Sequence, residues 1–507
     1  MEVEVDIANG LPHSQVVGLP DSAVRESIDR IRAAINNTGF RYPQQRVTIN
    51  LAPADIRKEG TAFDLAIAAG ILTASREVDE AYARTMFLGE LSLEGKVRSV
   101  PGVLPMVAAA KEAGFERVIL PEDNAAEACL IGGIRIVPIR SLHDLRDMDG
   151  LLRRSAELER RDNGEHNRKA ESASVASLIG DGAGDCGDFA DVRGHRHAKR
   201  AAMIAAAGRH HMLLIGPPGS GKTMIARRIP TIMPLMEDAE ALETMAIYSV
   251  AGKLKAQGLL VRERPFRAPH HTISTAGLIG GGPIPRPGEV SLAHHGVLFL
   301  DELPEYSRSV LEVLRQPIED GQVTIGRARM AITFPTKFLL VAAMNPCPCG
   351  YSGSRGKRTC TCSSYKKEQY ISKISGPLLD RIDLHVEMPH LNYAELQDDS
   401  QIVSSAEMRE RVAEALERQA ARYRQEPFVV NQELSGVKLR KYCIMSRDAE
   451  QLLHDYHDAL GLSIRSHDRI LKIARTIADL EGSETIDAPH VAEAIQYRAL
   501  DQLHIGE

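Results

Sequence analysis

The sequence predicts an α/β protein: a parallel-sheet core, preceded by a smaller α+β domain and followed by a helical domain. Three observations predict it. The apolar runs in "HMLLIG", "GVLFLDE" and "FLLVAAMN" each have strand length and each end in glycine or a polar residue. That is the pattern of buried parallel strands carrying a site at their carboxyl ends. Strand-like and helix-like runs alternate along the first half, whereas the last hundred residues are almost wholly helical in period. Apolar residues make up 43% of the 507 residues, aromatics only 4%, and tryptophan is absent, which suits cores of Leu, Ile, Val and Ala.

Within residues 1–145, "VRESIDRIRAAINNTG" has the period of an amphipathic helix with a glycine stop. "RVTINLA", "RVILP" and "IRIVPI" are strands, and "FDLAIAAGILTAS" is a helix. Residues 146–186 are charged, then rich in Ser and Gly, and bury too little surface to offset their ordering entropy; they are expected to form a flexible linker. Residues 187–392 form the second α/β region, and 393–507, with "SAEMRERVAEALERQAARY" and "HDRILKIARTIADLEG", form the helical domain. No basic-then-apolar leader opens the chain, and no apolar run is long enough to span a bilayer. Seven cysteines, an odd number, fit a reducing cytoplasm. The net charge of −6 excludes a generally basic nucleic-acid coat, so any DNA contact must come from a local basic patch.

The most specific motif is "GPPGSGKT", Gly216, Pro217, Pro218, Gly219, Ser220, Gly221, Lys222 and Thr223, set between an apolar strand and a helix. Its glycines let backbone N–H groups close around phosphates at a helix N-terminus. Lys222 would reach the β- and γ-phosphates of ATP, and the Thr223 hydroxyl would bind Mg²⁺. "GVLFLDE" supplies the complementary acids: Asp301 for the Mg²⁺ shell and Glu302 to polarise the attacking water. Asn345, at the tip of "FLLVAAMN", is placed to hydrogen-bond both the γ-phosphate and the lytic water. The pairs His270-His271 and His294-His295 are not read as metal ligands, because adjacent histidines point in different directions.

With these motifs in place, the chain resembles AAA+ ATPases, P-loop nucleoside triphosphatases of the magnesium-chelatase-like branch that contains the YifB/ComM competence-protein family. The resemblance rests on "DFADVRGHRHAKRAAMIAAAG", "RPFRAPHHTISTAGLIGGGPIPRPGEVSLAHHGVLFLDELPE", "NPCPCG" and "SGPLLDRIDLHVEMP", and it runs over nearly the whole chain. It implies that Arg381 is an arginine finger reaching a neighbouring subunit's γ-phosphate. It also implies that Arg465, at the start of a lid helix, is a second nucleotide sensor, with Arg469 the alternative. A guanidinium supplied in trans implies a homo-oligomeric ring, a hexamer by the resemblance. The implied function is a ring ATPase driving DNA translocation, helicase or branch-migration activity in recombination; a chelatase-type motor remodelling a protein partner is the alternative. A β-hairpin is expected in "GQVTIGRARMAITFP", where Arg327 and Arg329 at the tip would meet the phosphates of DNA in the pore, or else lie on a solvated turn.

"NLAPADIRKEGTAFDLAIAAGIL" and "LGELSLEGKVRSVPGVLPMVAAAKEAGFERVILP" resemble the Lon-protease-like domain, of the ribosomal S5 domain 2-like fold. The resemblance places Ala62 where a catalytic serine should stand and Leu104 where its lysine base should stand. Lacking nucleophile and base, the domain is expected to have no peptidase activity.

Four of the seven cysteines, Cys347, Cys349, Cys360 and Cys362, fall within "NPCPCGYSGSRGKRTCTC". A disulfide does not suit a reducing compartment, and a Cys-Pro-Cys bridge would be strained. Two CxC pairs fit a Cys₄ zinc site, with Gly350 turning the chain after the first pair.

Overall fold

The computed structural model describes all residues except 56, 57, 59, 79–81, 83, 148, 157–185, 255–258, 283, 284, 328, 329, 354–358, 394, 396–401, 461, 462 and 499–507. The chain divides into two units: Met1–Asp181 together with Asp238–Val261, and Gly182–Glu237 together with Arg262–Glu507.

In the first unit, β1 (Glu2–Ala8) runs antiparallel to β3 (Arg46–Ala52), and β2 (His13–Val17) runs parallel to β3 on its other edge. Alternation in β3 turns Val47, Ile49 and Leu51 inward. The helix Ser22–Asn37 covers this core with Val24, Ile28, Ile31 and Ile35, spaced three or four residues apart; Asp21 caps it by accepting the Val24 N–H at 2.7 Å. The strands β4 (Thr85–Phe87), β7 (Arg117–Pro121) and β8 (Arg135–Ile139) form a separate parallel sheet, in the order β4-β7-β8, and β5 (Glu90–Leu91) pairs with β6 (Val97–Arg98).

Two features depart from the expected boundaries. Residues 149–156 are helical, with Leu151 in the core and the Ser155 hydroxyl donating to the Ile136 carbonyl at 2.6 Å. Packing therefore continues past residue 145, because the apolar pair in "GLLRRS" has a core to join. The rest of the expected linker, 157–185, lies outside the described residues. The helix Asp238–Val250, far along the chain, also belongs to this unit: Ser249 accepts the Gly102 N–H on its carbonyl at 3.0 Å and the Leu104 N–H on its hydroxyl at 3.3 Å.

The second unit is built on the parallel sheet β10-β13-β16-β9-β17. Its members are β9 (Met212–Ile215), β10 (Phe266–Arg267), β13 (Val297–Leu300), β16 (Leu339–Met344) and β17 (Leu384–Glu387). Every neighbouring pair is parallel, so all five carboxyl ends share one edge. Two hairpins stand apart from the sheet, β11 (Gly280–Gly281) with β12 (Arg286–Pro287), and β14 (Gln322–Arg327) with β15 (Met330–Pro335). The second is the hairpin expected in "GQVTIGRARMAITFP". Arg329 and the Arg327 side chain lie outside the described residues.

The helices Ser405–Arg422, Gly436–Tyr442, Arg447–Leu460, Ile464–Leu480 and Ala488–Gln496 share one hydrophobic core with the sheet. Ile464–Leu480 buries Ile470, Leu471, Ile473, Ala474, Ile477 and Ala478, each isoleucine contributing roughly 1.5–3 kcal/mol. A buried polar network pins the same helix. Asp479 accepts from Arg422 at 2.9 Å and Asn431 at 2.8 Å and lies 3.0 Å from the Arg475 guanidinium. Among the described residues no helix is long and apolar enough to cross a membrane.

Candidate functional site

The site is assembled at the carboxyl ends of three adjacent strands, β9, β16 and β13. After β9 the chain turns through Gly216–Gly221 into the helix Lys222–Ile232. Gly219 and Gly221 have φ of +77° and +84°, a left-handed backbone open chiefly to glycine. At Gly216 a Cβ would stand 2.3 Å from the Met388 carbonyl, so this turn too admits no side chain.

The Lys222 ammonium lies inside the loop, donating to the Gly216 carbonyl at 2.7 Å, the Pro217 carbonyl at 2.9 Å and Asn345 Oδ1 at 3.2 Å. Burial lowers its pKa, opposed by the negative charges of Asp301 and Glu302. Thr223, next along, donates its hydroxyl to Asp301 Oδ2 at 2.9 Å. Three strands have thereby delivered four side chains into two bonded pairs.

Glu302 follows Asp301 with φ of +52°, an uncommon conformation for glutamate, and its N–H donates to Asp301 Oδ1 at 2.9 Å. Its carboxylate lies 3.5 Å from His271 Nδ1. His271 follows β10, on the far side of β13, and a second tie fixes that segment: the Tyr306 hydroxyl donates to the Pro269 carbonyl at 2.6 Å. Burial raises the Tyr306 phenol pKa, reinforced by Asp301 and Glu302. The partner of Glu302 was not foreseen. The "PHH" sequence was visible, but only the packing of β10 on β13 brings the second histidine to the acid.

The residues present fit a nucleotide with its metal. The Ser220 hydroxyl in the loop is buried without a partner, and the Thr223 and Asp301 oxygens are adjacent hard donors. Mg²⁺ typically takes one or two protein oxygens and completes its shell with phosphate and water.

The two arginines are placed differently. Arg381 is nearly buried, donating to the Pro377 carbonyl at 2.5 Å and pairing with Glu319 at 2.5 Å, while its Nε has no partner. Arg465 is exposed in the first turn of Ile464–Leu480, after the Ser463 cap. No hydrogen bond or ion pair joins either residue to Gly216–Thr223 among the described residues. Arg469 is held 3.2 Å from Asp383, a buried carboxylate that also lies 3.2 Å from His210 Nδ1. Burial pushes the Asp383 pKa up, but the His210 hydrogen bond and the charges of His210 and Arg469 outweigh it and hold the group below the usual carboxylate range.

In the first unit, Leu104 is buried and Ala62 packs against the core containing Val103 and Val107. Neither side chain offers a nucleophile or a base.

Such a loop, with the acid pair and the asparagine on neighbouring parallel strands, defines a P-loop nucleoside triphosphatase. Three family models match in turn: "Subunit ChlI of Mg-chelatase" over residues 3–124, "Magnesium chelatase, subunit ChlI" over 188–396 and "Magnesium chelatase, subunit ChlI C-terminal" over 403–498. The chain is 42% identical over 505 residues to "Competence protein ComM" of Haemophilus influenzae, covering 99% of this chain and 95% of that one. It is 42% identical over 507 residues to "Uncharacterized protein YifB" of Escherichia coli, with the same shares covered. "Lon protease 2" of Bacillus subtilis is 28% identical over 167 residues, 29% of each chain. The chain belongs to the YifB/ComM family of magnesium-chelatase-like AAA+ ATPases.

Proposed function

We propose that this protein is a ring-forming ATPase that couples hydrolysis to movement on DNA, with helicase or branch-migration activity during recombination of incoming strands. The observation that carries the ATPase part is the convergence of Lys222, Thr223, Asp301, Glu302 and Asn345 at one sheet edge. The DNA part rests on likeness along the whole chain to a competence protein.

In this reading the Lys222 ammonium exchanges loop carbonyls for the β- and γ-phosphate oxygens. Thr223 and Asp301 hold Mg²⁺, which supplies neutralisation of phosphate charge. Glu302 accepts a hydrogen bond from the attacking water and polarises it, and Asn345 orients that water against the γ-phosphate. Arg381, drawn from Glu319, serves the neighbouring subunit's nucleotide in a hexamer, and Arg465 senses nucleotide from the lid. The Lon-like first domain, without nucleophile or base, serves assembly or DNA binding and not proteolysis. The protein works in the cytoplasm.

A second reading, favoured by the chelatase family models, is a motor that remodels a protein partner. One experiment separates the two. ATP turnover and strand displacement are measured with forked and three-stranded DNA over a salt series, for wild type and Glu302→Gln. The expected outcome is DNA-stimulated turnover that weakens with salt. The variant should bind ATP while hydrolysing it about 10²–10⁴-fold more slowly. Absence of DNA binding and stimulation at low salt removes the helicase reading and leaves the partner-remodelling motor.

A further inference from the structure

The cluster of cysteines that begins two residues beyond Asn345 is a built site. Cys347, Cys349, Cys360 and Cys362 are all unbridged, and their four sulfurs lie within 4.8 Å of one another. The distances Cys347–Cys349, Cys347–Cys360 and Cys349–Cys360 are 3.3, 3.7 and 3.6 Å. A disulfide would need about 2.05 Å. A tetrahedron of thiolates at the Zn–S distance of about 2.3 Å has edges of roughly 3.8 Å, close to what is found. Backbone N–H groups also point at the sulfurs: Tyr351 and Thr361 at Cys349, Cys362 at Cys360, and Cys349 at Cys362. Hydrogen bonds of this kind orient metal-bound thiolates.

The loop is pressed against the phosphate site from two directions. Gly350, with φ of +84°, closes the first turn by donating to the Cys347 carbonyl at 2.9 Å. A Cβ on it would lie 2.6 Å from Pro218 Cδ and 3.9 Å from Asn345 Cγ. On the other side, the helix Ser364–Ile371 starts just after Cys362, and the Asn345 backbone N–H donates to its Tyr370 oxygen. Asn345 is thus held by chain connectivity at one end of the cysteine loop and by a hydrogen bond at the other.

We propose that the four cysteines bind one Zn²⁺ and that the metal-clasped loop positions Asn345 and the Pro218 wall of the phosphate loop, making metal loading a condition of full ATP turnover. Binding releases the thiol protons to solvent and leaves a closed tetrahedral site with no open position for substrate. Asn345 touches the nucleotide; the cysteines act through it as positioning residues. The positioning part rests on the ATPase reading, whereas the metal site does not.

The test begins with metal content of the full chain purified with zinc supplied. About one zinc per chain is expected in wild type and in Cys186→Ser, and about a tenth or less in Cys360→Ser/Cys362→Ser. A zinc-free wild type, or a double variant with wild-type metal content, overturns the site. Since the variant can fail to fold, stripped wild type is also titrated with Co²⁺. The visible absorption of a tetrahedral cobalt tetrathiolate at one equivalent is expected, and its absence overturns the site. Positioning is read by amide hydrogen exchange: metal removal should speed exchange in residues 216–223 and 344–350, and unchanged exchange overturns it. With excess Mg²⁺ present, zinc-free protein should keep its ATP affinity and lose about tenfold in turnover, restored by zinc. A zinc-loaded wild type that hydrolyses no ATP sinks the ATPase reading, while the metal count and exchange still decide this one.

Discussion

Arg381 commits part of its guanidinium to its own chain, through Pro377 and Glu319, and leaves Nε unmatched in a nearly buried position. A finger acting in trans must exchange Glu319 for a phosphate. Arg381→Ala should therefore bind ATP normally and lose about 10³-fold or more in turnover. Mixed in equal amounts with Lys222→Ala, it should recover about a quarter of wild-type turnover, the share of interfaces carrying both intact groups. Mixtures as inactive as their parents would place the arginine's role within one chain. At this scale the phosphate loop was fully legible, because its geometry is set by eight consecutive residues. Asp301 and Asn345 were legible because each ends an unmistakable apolar strand. His271 was not, since its meeting with Glu302 depends on which strand lies beside β13.

Elements carry their own titration behaviour. His211, just ahead of β9, is fully buried and accepts the Leu340 N–H of β16 on Nδ1 at 3.1 Å, so its ring is neutral. Burial, aided by His210, Arg469 and Lys472 and opposed by Asp383, lowers its pKa from 6.5 to about 4. The unfolded chain binds the proton first as pH falls, so stability is lost as pH drops through 6.5 towards 4; the full effect is roughly 3 kcal/mol. His211→Gln should be the less stable form at neutral pH. The gap between its melting temperature and that of wild type should narrow on acidification, whereas a constant gap would show that His211 titrates in the fold just as it does in the unfolded chain. Most elements were legible from periodicity, including the hairpin of β14 and β15 and the run of C-terminal helices. The helix at 149–156 was missed because its charged flank hides one buried leucine. That the C-terminal helices share the sheet's core, and are tied to it by the Asp383–Arg469 pair, is a matter of tertiary contact that no local pattern carries.

At the scale of the whole molecule, the sequence gives no sign that Asp238–Val261 leaves the ATPase unit, because the apolar residues of a helix do not declare their partner. The excursion has a definite geometry: the Met236 N–H donates to the Arg262 carbonyl at 2.7 Å, so the chain departs and returns at one point. Deleting residues 1–186 alone should leave Met245, Ile247 and Tyr248, buried in the intact chain, without their partners and yield aggregated protein. Deleting 1–186 and also replacing 238–261 with a short Gly-Ser turn should yield a soluble, cooperatively melting ATPase unit. Size-exclusion chromatography and thermal melts decide between them; equal solubility of the two truncations would show that the helix needs no partner. Chimeras between relatives meet the same constraint. The first 181 residues are not a cassette, and a graft must carry its distant helix with it, two inserts exchanged as one.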